Sequence, residues 1–310
     1  LLMDMAMVSA NKVNPTSTLA LRAEMTTTSS DGSAVWDATQ GDAEIMLDGV
    51  ASSTTTLDVP ENTETDTYMV LPSGSLLSES EYTFTIRATY NGDNRRINEY
   101  DGYSFASVSF TTNSPPSSGL LQVTPNNGAA LFDTFEFTCF GFLDEDLPLK
   151  YNFFYADPSR SLENNVPLYF RQSLISNSMT IESLRMGDIQ NYSLAVGAQI
   201  YDCYGASVSQ QVTVTVSPSG QSLGDFLENL GDLDNVVLTG ALEQALARLI
   251  SVAAELNLWE QLEPTSPGEA SLMERMALRQ SMFSVLLSIL QTIEVTEFTI
   301  NQLASASQAV

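Results

Sequence analysis

Tyr82-Thr83-Phe84-Thr85-Ile86-Arg87-Ala88-Thr89-Tyr90 alternates apolar and polar residues without a break. That is the two-residue period of a strand with one buried face. Runs of the same kind recur around it at 19–25, 43–47, 67–71 and 103–111, each bounded by Gly, Asp, Asn, Ser or Pro. Short β-rich runs separated by polar turns predict an all-β sandwich, here over residues 1–113.

Leu76 stands six residues before Tyr82. The spacing is similar to the tyrosine corner of fibronectin type III domains, where a Tyr hydroxyl hydrogen-bonds back to the chain crossing between the sheets. Tyr82 is therefore expected to be structural, and Trp36 is the candidate core tryptophan. Asn113-Ser114-Pro115-Pro116-Ser117-Ser118-Gly119 reads as a linker, because prolines lack the N–H that a ladder needs. A second sandwich is expected over 114–219, with strands at 134–142, 149–155, 168–172, 179–184, 192–201 and 206–216. Phe135, Phe137 and Cys139 share one face of the first of these strands; Tyr192, Leu194 and Val196 share one face of the fifth.

After Ser217-Pro218-Ser219-Gly220 the period becomes helical, so residues 220–310 are expected to be α-helical. One stripe runs through Leu223, Phe226, Leu227 and Leu230, a second through Leu242, Leu246, Leu249, Ala253 and Leu256. Ser266-Pro267-Gly268-Glu269 reads as a capping box that starts a further helix, with an expected apolar face of Leu272, Met276, Phe283, Leu286, Leu287 and Leu290. Another amphipathic stretch opens at Thr296. The predicted class is mainly β: two tandem fibronectin-III- or immunoglobulin-like sandwiches followed by a helical segment.

Across its 310 residues the chain carries 38 Asp and Glu against 12 Lys and Arg, a formal charge of −26, and no histidine. Without histidine no Ser-His-Asp or Cys-His nucleophile, imidazole acid-base pair or His-containing zinc site can be assembled. With so few cations the chain is a poor partner for nucleic acid or anionic membrane surfaces. Its longest apolar run, residues 282–293, is broken by Ser284, Ser288 and Gln291 and falls short of the ~20 residues a membrane helix requires. Starting at Leu1 without a basic-then-apolar leader, the chain is expected to be a piece of something longer, with any membrane anchor outside it.

Thr112-Asn113-Ser114-Pro115-Pro116-x2-Gly119 is followed by Val123-x-Pro125-x2-Gly128-x2-Leu131. Next comes Phe135-x3-Cys139-x-Gly141-Phe142-x-Asp144-x-Asp146-x-Pro148-Leu149-x-Tyr151-x-Phe153. Together these resemble the receptor-for-egg-jelly (REJ) module of polycystin-1-like proteins, and Tyr192-x-Leu194-x-Val196 with Asp202-x-Tyr204-Gly205-Ala206 is similar to its penultimate strand and turn. The likeness spans roughly residues 67–216. It implies a non-catalytic extracellular region acting in adhesion, ligand binding or mechanosensing, on a cilium or other cell surface. It also implies structural roles for Gly141, Pro148 and Tyr151, and a helical segment leading into an autoproteolysis-inducing (GAIN-like) domain and a channel-like membrane part. Implied partners are other extracellular domains, a polycystin-2-like channel, or filament subunits. The alternative is a structural subunit of a ciliary surface filament, mastigoneme-like, or its membrane tether.

Several residues are candidate sites. Cys139 and Cys203, both in the second sandwich, are either a disulfide suited to an oxidising compartment or two separate thiols, since Cys203 is out of phase with the inward residues of its strand. Tyr192, led in by Gly187-Asp188, is preferred over Tyr201 as the corner tyrosine of this sandwich. Asn191-Tyr192-Ser193 is the one N-glycosylation triplet without a central proline. Asp144-Glu145-Asp146 offers oxygen ligands of the type Ca2+ takes, though a site needs six to eight of them and a solvated, amide-capping loop is the simpler expectation. No other cofactor is expected. The leucine stripes, with Met273, Met276 and Met282, read as core rather than as a ligand face.

Overall fold

In the computed structural model the described residues are 2–4, 12–26, 31–90, 103–156, 167–182, 184–220, 222, 225–226, 242–262, 269–292 and 303. The chain divides into two compact units, one of Leu1–Pro115 with Asp202–Ala206, the other of Pro116–Tyr201 with Ser207–Val310.

Unit 1 holds β1 (Leu2–Asp4), β2 (Lys12–Val13), β3 (Leu19–Thr26), β4 (Gly32–Gln40), β5 (Ala43–Ile45), β6 (Thr56–Val59), β7 (Glu64–Leu71), β8 (Glu81–Tyr90) and β9 (Tyr103–Thr112). One sheet has the order β1-β3-β7, the other β2-β9-β8-β4-β5 with β6 pairing β4. All pairings are antiparallel except β2 with β9. Alternation sets the core. Leu19, Leu21, Ala23 and Met25 of β3 face Ala34, Trp36 and Ala38 of β4 and Tyr82, Phe84, Ile86 and Ala88 of β8, all buried. Trp36 is the core tryptophan, its indole N–H donating to Thr67 Oγ1 at 3.4 Å. Its strand, β4, is faint in the sequence because Ala34 and Ala38, beside Trp36, mute the apolar period.

Unit 2 contains β10 (Leu120–Thr124), β11 (Asn127–Ala129), β12 (Phe135–Phe140), β13 (Lys150–Ala156), β14 (Pro167–Leu174), β15 (Ser178–Ile181), β16 (Ser193–Tyr201) and β17 (Ser207–Ser217), then α1 (Leu242–Leu262) and α2 (Glu269–Thr292). Its sheets run β10-β12-β15 and β11-β17-β16-β13-β14. Phe135, Phe137 and Cys139 of β12 point inward against Leu194, Val196, Ala198 and Ile200 of β16. Phe137 packs edge-on against Phe153 and Phe170, with ring centroids 5.9 and 5.8 Å away. Gly197 lets Phe154 cross the centre of β16, since a Cβ there would collide with the Phe154 ring.

The helices complete unit 2. Leu246, Leu249, Ala253 and Leu256 are buried as expected, while Leu258 of α1 joins the core of the sandwich. Leu131, at positive φ between β11 and β12, packs on the helical cluster in return. Helix α2 departs from expectation. Leu272, Met276, Phe283, Leu287 and Leu290 are exposed, and the buried side is Leu278, Met282, Val285, Leu286 and Ile289. The helix is apolar on two sides, so periodicity could not say which one docks. Leu223, Leu227, Leu230, the capping residues Ser266-Pro267-Gly268 and most of the stretch from Thr296 lie outside the described residues.

Candidate functional site

Each unit carries a set of buried polar groups that fix its loops. In unit 1 the Tyr82 hydroxyl accepts the Leu77 amide at 2.9 Å. Thr112, at the end of β9, completes the clasp. Its hydroxyl donates toward the carbonyls of Leu77 at 2.6 Å and Ser80 at 3.1 Å and accepts the Ser80 amide at 2.9 Å. Tyr82 is stacked beside Phe84 and tilted against Phe110, so the loop is held by a rigid aromatic and not by a mobile surface group. The corner expected from the Leu76–Tyr82 spacing is present, with Leu77 as the residue bound.

Asp202, named in the sequence only as part of the turn that resembles the module, is a buried and multiply hydrogen-bonded carboxylate of unit 1. Only 2% exposed, it accepts the Asn113 carboxamide at 2.6 Å on one oxygen and the amides of Tyr204 and Ala206 at 2.8 and 2.9 Å on the other. Asn14 donates to the Tyr204 carbonyl at 2.7 Å and accepts from Asn113 at 2.9 Å. Lys12 lies over the Tyr204 ring, 5.6 Å from its centroid. The available signal was the Asp-x-Tyr-Gly run itself, because an Asp that opens a turn accepts amides two and four residues on. The same network locates Cys203 in an exposed turn, whereas Cys139 is buried in the other unit. Of the two alternatives left open for Cys139 and Cys203, a disulfide or two separate thiols, the structure has the second: the two are not bridged. Desolvation pushes the Cys139 thiol up to about 12.

In unit 2 the turn between β15 and β16 is tied by its backbone. Tyr192 N donates to Asp188 O at 2.6 Å, Asp188 N to Ser193 O at 2.9 Å, and Val216 N to Tyr192 O at 2.8 Å. Tyr192 adopts φ 56° and half-buries its ring against the core. It thus acts through its main chain, a different device from the hydroxyl clasp of Tyr82. Gly187 faces the Tyr192 carbonyl so closely that any Cβ would overlap it. Asn191 is exposed, and its Oδ1 accepts the Ser193 amide at 3.0 Å.

The other candidates are placed as follows. Asp144 accepts the Asp146 amide at 2.8 Å, the amide-capping arrangement, with Asp144 and Asp146 half-buried and Glu145 exposed. Gly141 adopts φ 72° directly after β12, and the Leu147–Pro148 peptide is cis. Tyr151, 8% exposed on β13, has its hydroxyl pKa raised by burial and by Cys139. Glu255 of α1, fully buried, was legible nowhere in the sequence. It accepts the backbone amide and the hydroxyl of Ser219, both at 2.7 Å. Burial raises its pKa against the opposing pull of those two bonds.

The REJ domain model matches residues 4–247, most of the chain. The chain belongs to the REJ-domain family. REJ domains are non-catalytic modules of the extracellular parts of polycystin-like proteins, so this REJ chain is an extracellular surface module by family. The match is wider than the motif run noted in the sequence and takes in unit 1 as well as the start of α1. Among solved structures, a marsupial T cell receptor is 12% identical with a TM-score of 0.33, over 71% of this chain and 74% of that one. A 1.5-MDa bacterial ice-binding adhesin is 13% identical with a TM-score of 0.31, over 70% and 65%. No described helix is long and apolar enough to cross a membrane.

Proposed function

We propose that this REJ chain works as a non-catalytic, force-bearing module of a polycystin-1-like receptor on a ciliary or other cell surface, in adhesion, ligand binding or mechanosensing. Family membership over residues 4–247 carries the reading. Connectivity supports the mechanical part. The chain leaves unit 1 at Pro115, returns to it at Asp202 and leaves again at Ala206, so unit 1 is built from two separate stretches of chain. The returning segment is retained by the bond from Asn113 to the buried Asp202 carboxylate and by the bond from Asn14 to the Tyr204 carbonyl. Hydrogen-bonded loops of this kind suit a spacer better than a pocket does. The partners of such a module are neighbouring extracellular domains, a channel of the polycystin-2 type or, for the alternative, filament subunits.

Surface biotinylation followed by peptide mass spectrometry of the native full-length protein tests the reading. Labelled REJ peptides recovered on one polypeptide, or one cleaved pair, with membrane-spanning peptides are expected. A secreted chain without such peptides would make it a filament subunit, and unlabelled peptides in intact cells would refute the extracellular assignment.

A further inference from the structure

We propose that Asn191 is an N-linked glycosylation site, an inference that rests on the extracellular reading above. The triplet Asn191-Tyr192-Ser193 has the acceptor asparagine, a permitted middle residue and the required hydroxyl. Its place in the fold supplies what the triplet alone lacks. Ile189, Gln190 and Asn191 form an exposed crest between β15 and β16. The turn is tied along its backbone, through Asp188 and through Asn191 Oδ1: Gln190 N donates to Asp188 Oδ1 at 2.7 Å, and Gly187 N to Val216 O at 3.0 Å. A large substituent on Asn191 therefore displaces no packing contact of the core.

The carboxamide is also held in a useful orientation. Its Oδ1 accepts the Ser193 amide at 3.0 Å, which leaves Nδ2, the atom to be modified, outside that bond. The step is a substitution at an anomeric carbon. Nδ2 forms a bond to C1 of the reducing-end sugar of a polyprenyl-pyrophosphate-linked oligosaccharide. The C1–O bond to pyrophosphate breaks, the lipid pyrophosphate leaves, and Nδ2 loses one proton. The catalyst is the oligosaccharide transferase of a secretory compartment, and Ser193 is the residue it reads. Two consequences follow for the module. The glycan shields Ile189, an apolar side chain 43% exposed. It also marks the Ser193 end of β16, whose nine residues separate it from Tyr201 by about 27 Å at the usual strand rise.

The test is glycosidase release in heavy-oxygen water, which converts an occupied asparagine to a labelled aspartate, on the full-length protein and on Asn191→Gln, Ser193→Ala and Ser193→Thr chains. Occupancy is expected in the native protein and in Ser193→Thr, with complete loss in the other two. Because occupancy is read on the native peptide itself, a variant that fails to fold leaves the answer intact. An unmodified Asn191 in protein recovered from the cell exterior would overturn the site while sparing the extracellular reading. Recovery of the native protein only from the cytosol would overturn both.

Discussion

Replacing Tyr82 by Phe isolates a single interaction, because the ring stays where it is. Tyr82 is 2% exposed between Phe84 and Phe110, and a phenyl ring makes the same apolar contacts. What disappears is the hydroxyl oxygen that accepts the Leu77 amide at 2.9 Å. A neutral hydrogen bond contributes about 1 kcal/mol net, and a stranded buried amide costs about 1–3 kcal/mol. The Leu77 side chain is exposed, so water reaches part of the loop and the loss is expected at about 1–2 kcal/mol. For a unit of this size that lowers Tm by roughly 4–8 °C. Tyr82→Ala adds the cavity and is expected at about 3–5 kcal/mol. The two tryptophans make the assay specific to one unit, since Trp36 lies in the core of unit 1 and Trp259 packs on the helical cluster of unit 2. Thermal unfolding of the full chain in a Trp259→Phe background reads unit 1 alone. Thr112→Val, which removes the other half of the clasp, is expected to be non-additive with Tyr82→Phe, because both hold Leu77. A Trp36 transition that moves by less than about 1 °C in Tyr82→Phe would refute the clasp as a stabilising device.

Further expectations follow from unit 2 and its helices. Phe137→Ala, at a ring with no exposed surface and two edge-on aromatic neighbours, is expected to cost about 3–5 kcal/mol in urea unfolding; an unchanged midpoint would place Phe137 wrongly. Glu255, raised above its ordinary 4.5 by burial, holds its proton more tightly folded than unfolded. Its contribution is therefore fullest below that value and declines as pH rises through the raised pKa. Glu255→Gln is expected to flatten that part of the pH dependence of the helical circular-dichroism melt, and an unaltered slope would discount the group. Alkylation of the native chain near pH 8 is expected to leave Cys139 unmodified, its thiol being buried with a pKa of about 12, and to label it once unfolded. Peptide mapping without reduction that recovers Cys139 joined to Cys203 would contradict the unbridged arrangement.

The sandwiches were legible because both kinds of information a strand needs lie in consecutive residues. Tyr82 to Ala88 and Leu194 to Ile200 alternate large inward groups with polar or small outward ones, and the buried sets follow that parity. Strands with weak inward contrast were not legible. β4 presents Ala34 and Ala38 beside Trp36, and β11, at three residues, is too short to set a period. The corner at Tyr82 could be read because a fixed spacing encodes it. The network that joins Asn113 to Asp202 and to Asn14 could not, since it links residues 89 and 99 positions apart through hydrogen bonds that leave no local pattern. The cysteines show the same division. Parity assigned Cys139 inward correctly, while the location of Cys203 depended on where a distant turn is held.

Helix α2 shows why the limit is physical. On a helix with one apolar stripe, the direction of burial is written in the sequence, because only one orientation removes greasy surface from water. α2 has two stripes, one through Leu278, Met282, Val285 and Ile289 and one through Leu272, Met276, Phe283, Leu287 and Leu290. Each would gain comparable hydrophobic stabilisation on docking, so the choice passes to the surface offered. That surface is α1, whose buried residues already satisfy the sandwich on one side through Leu258 and present Leu249, Val252 and Leu256 within the helical cluster. The orientation of α2 is thus decided by the tertiary surface that α1 offers. Reading its own periodicity selected the stripe that ended in water, and Leu286, at the border of the two, is the one expected face residue that is buried.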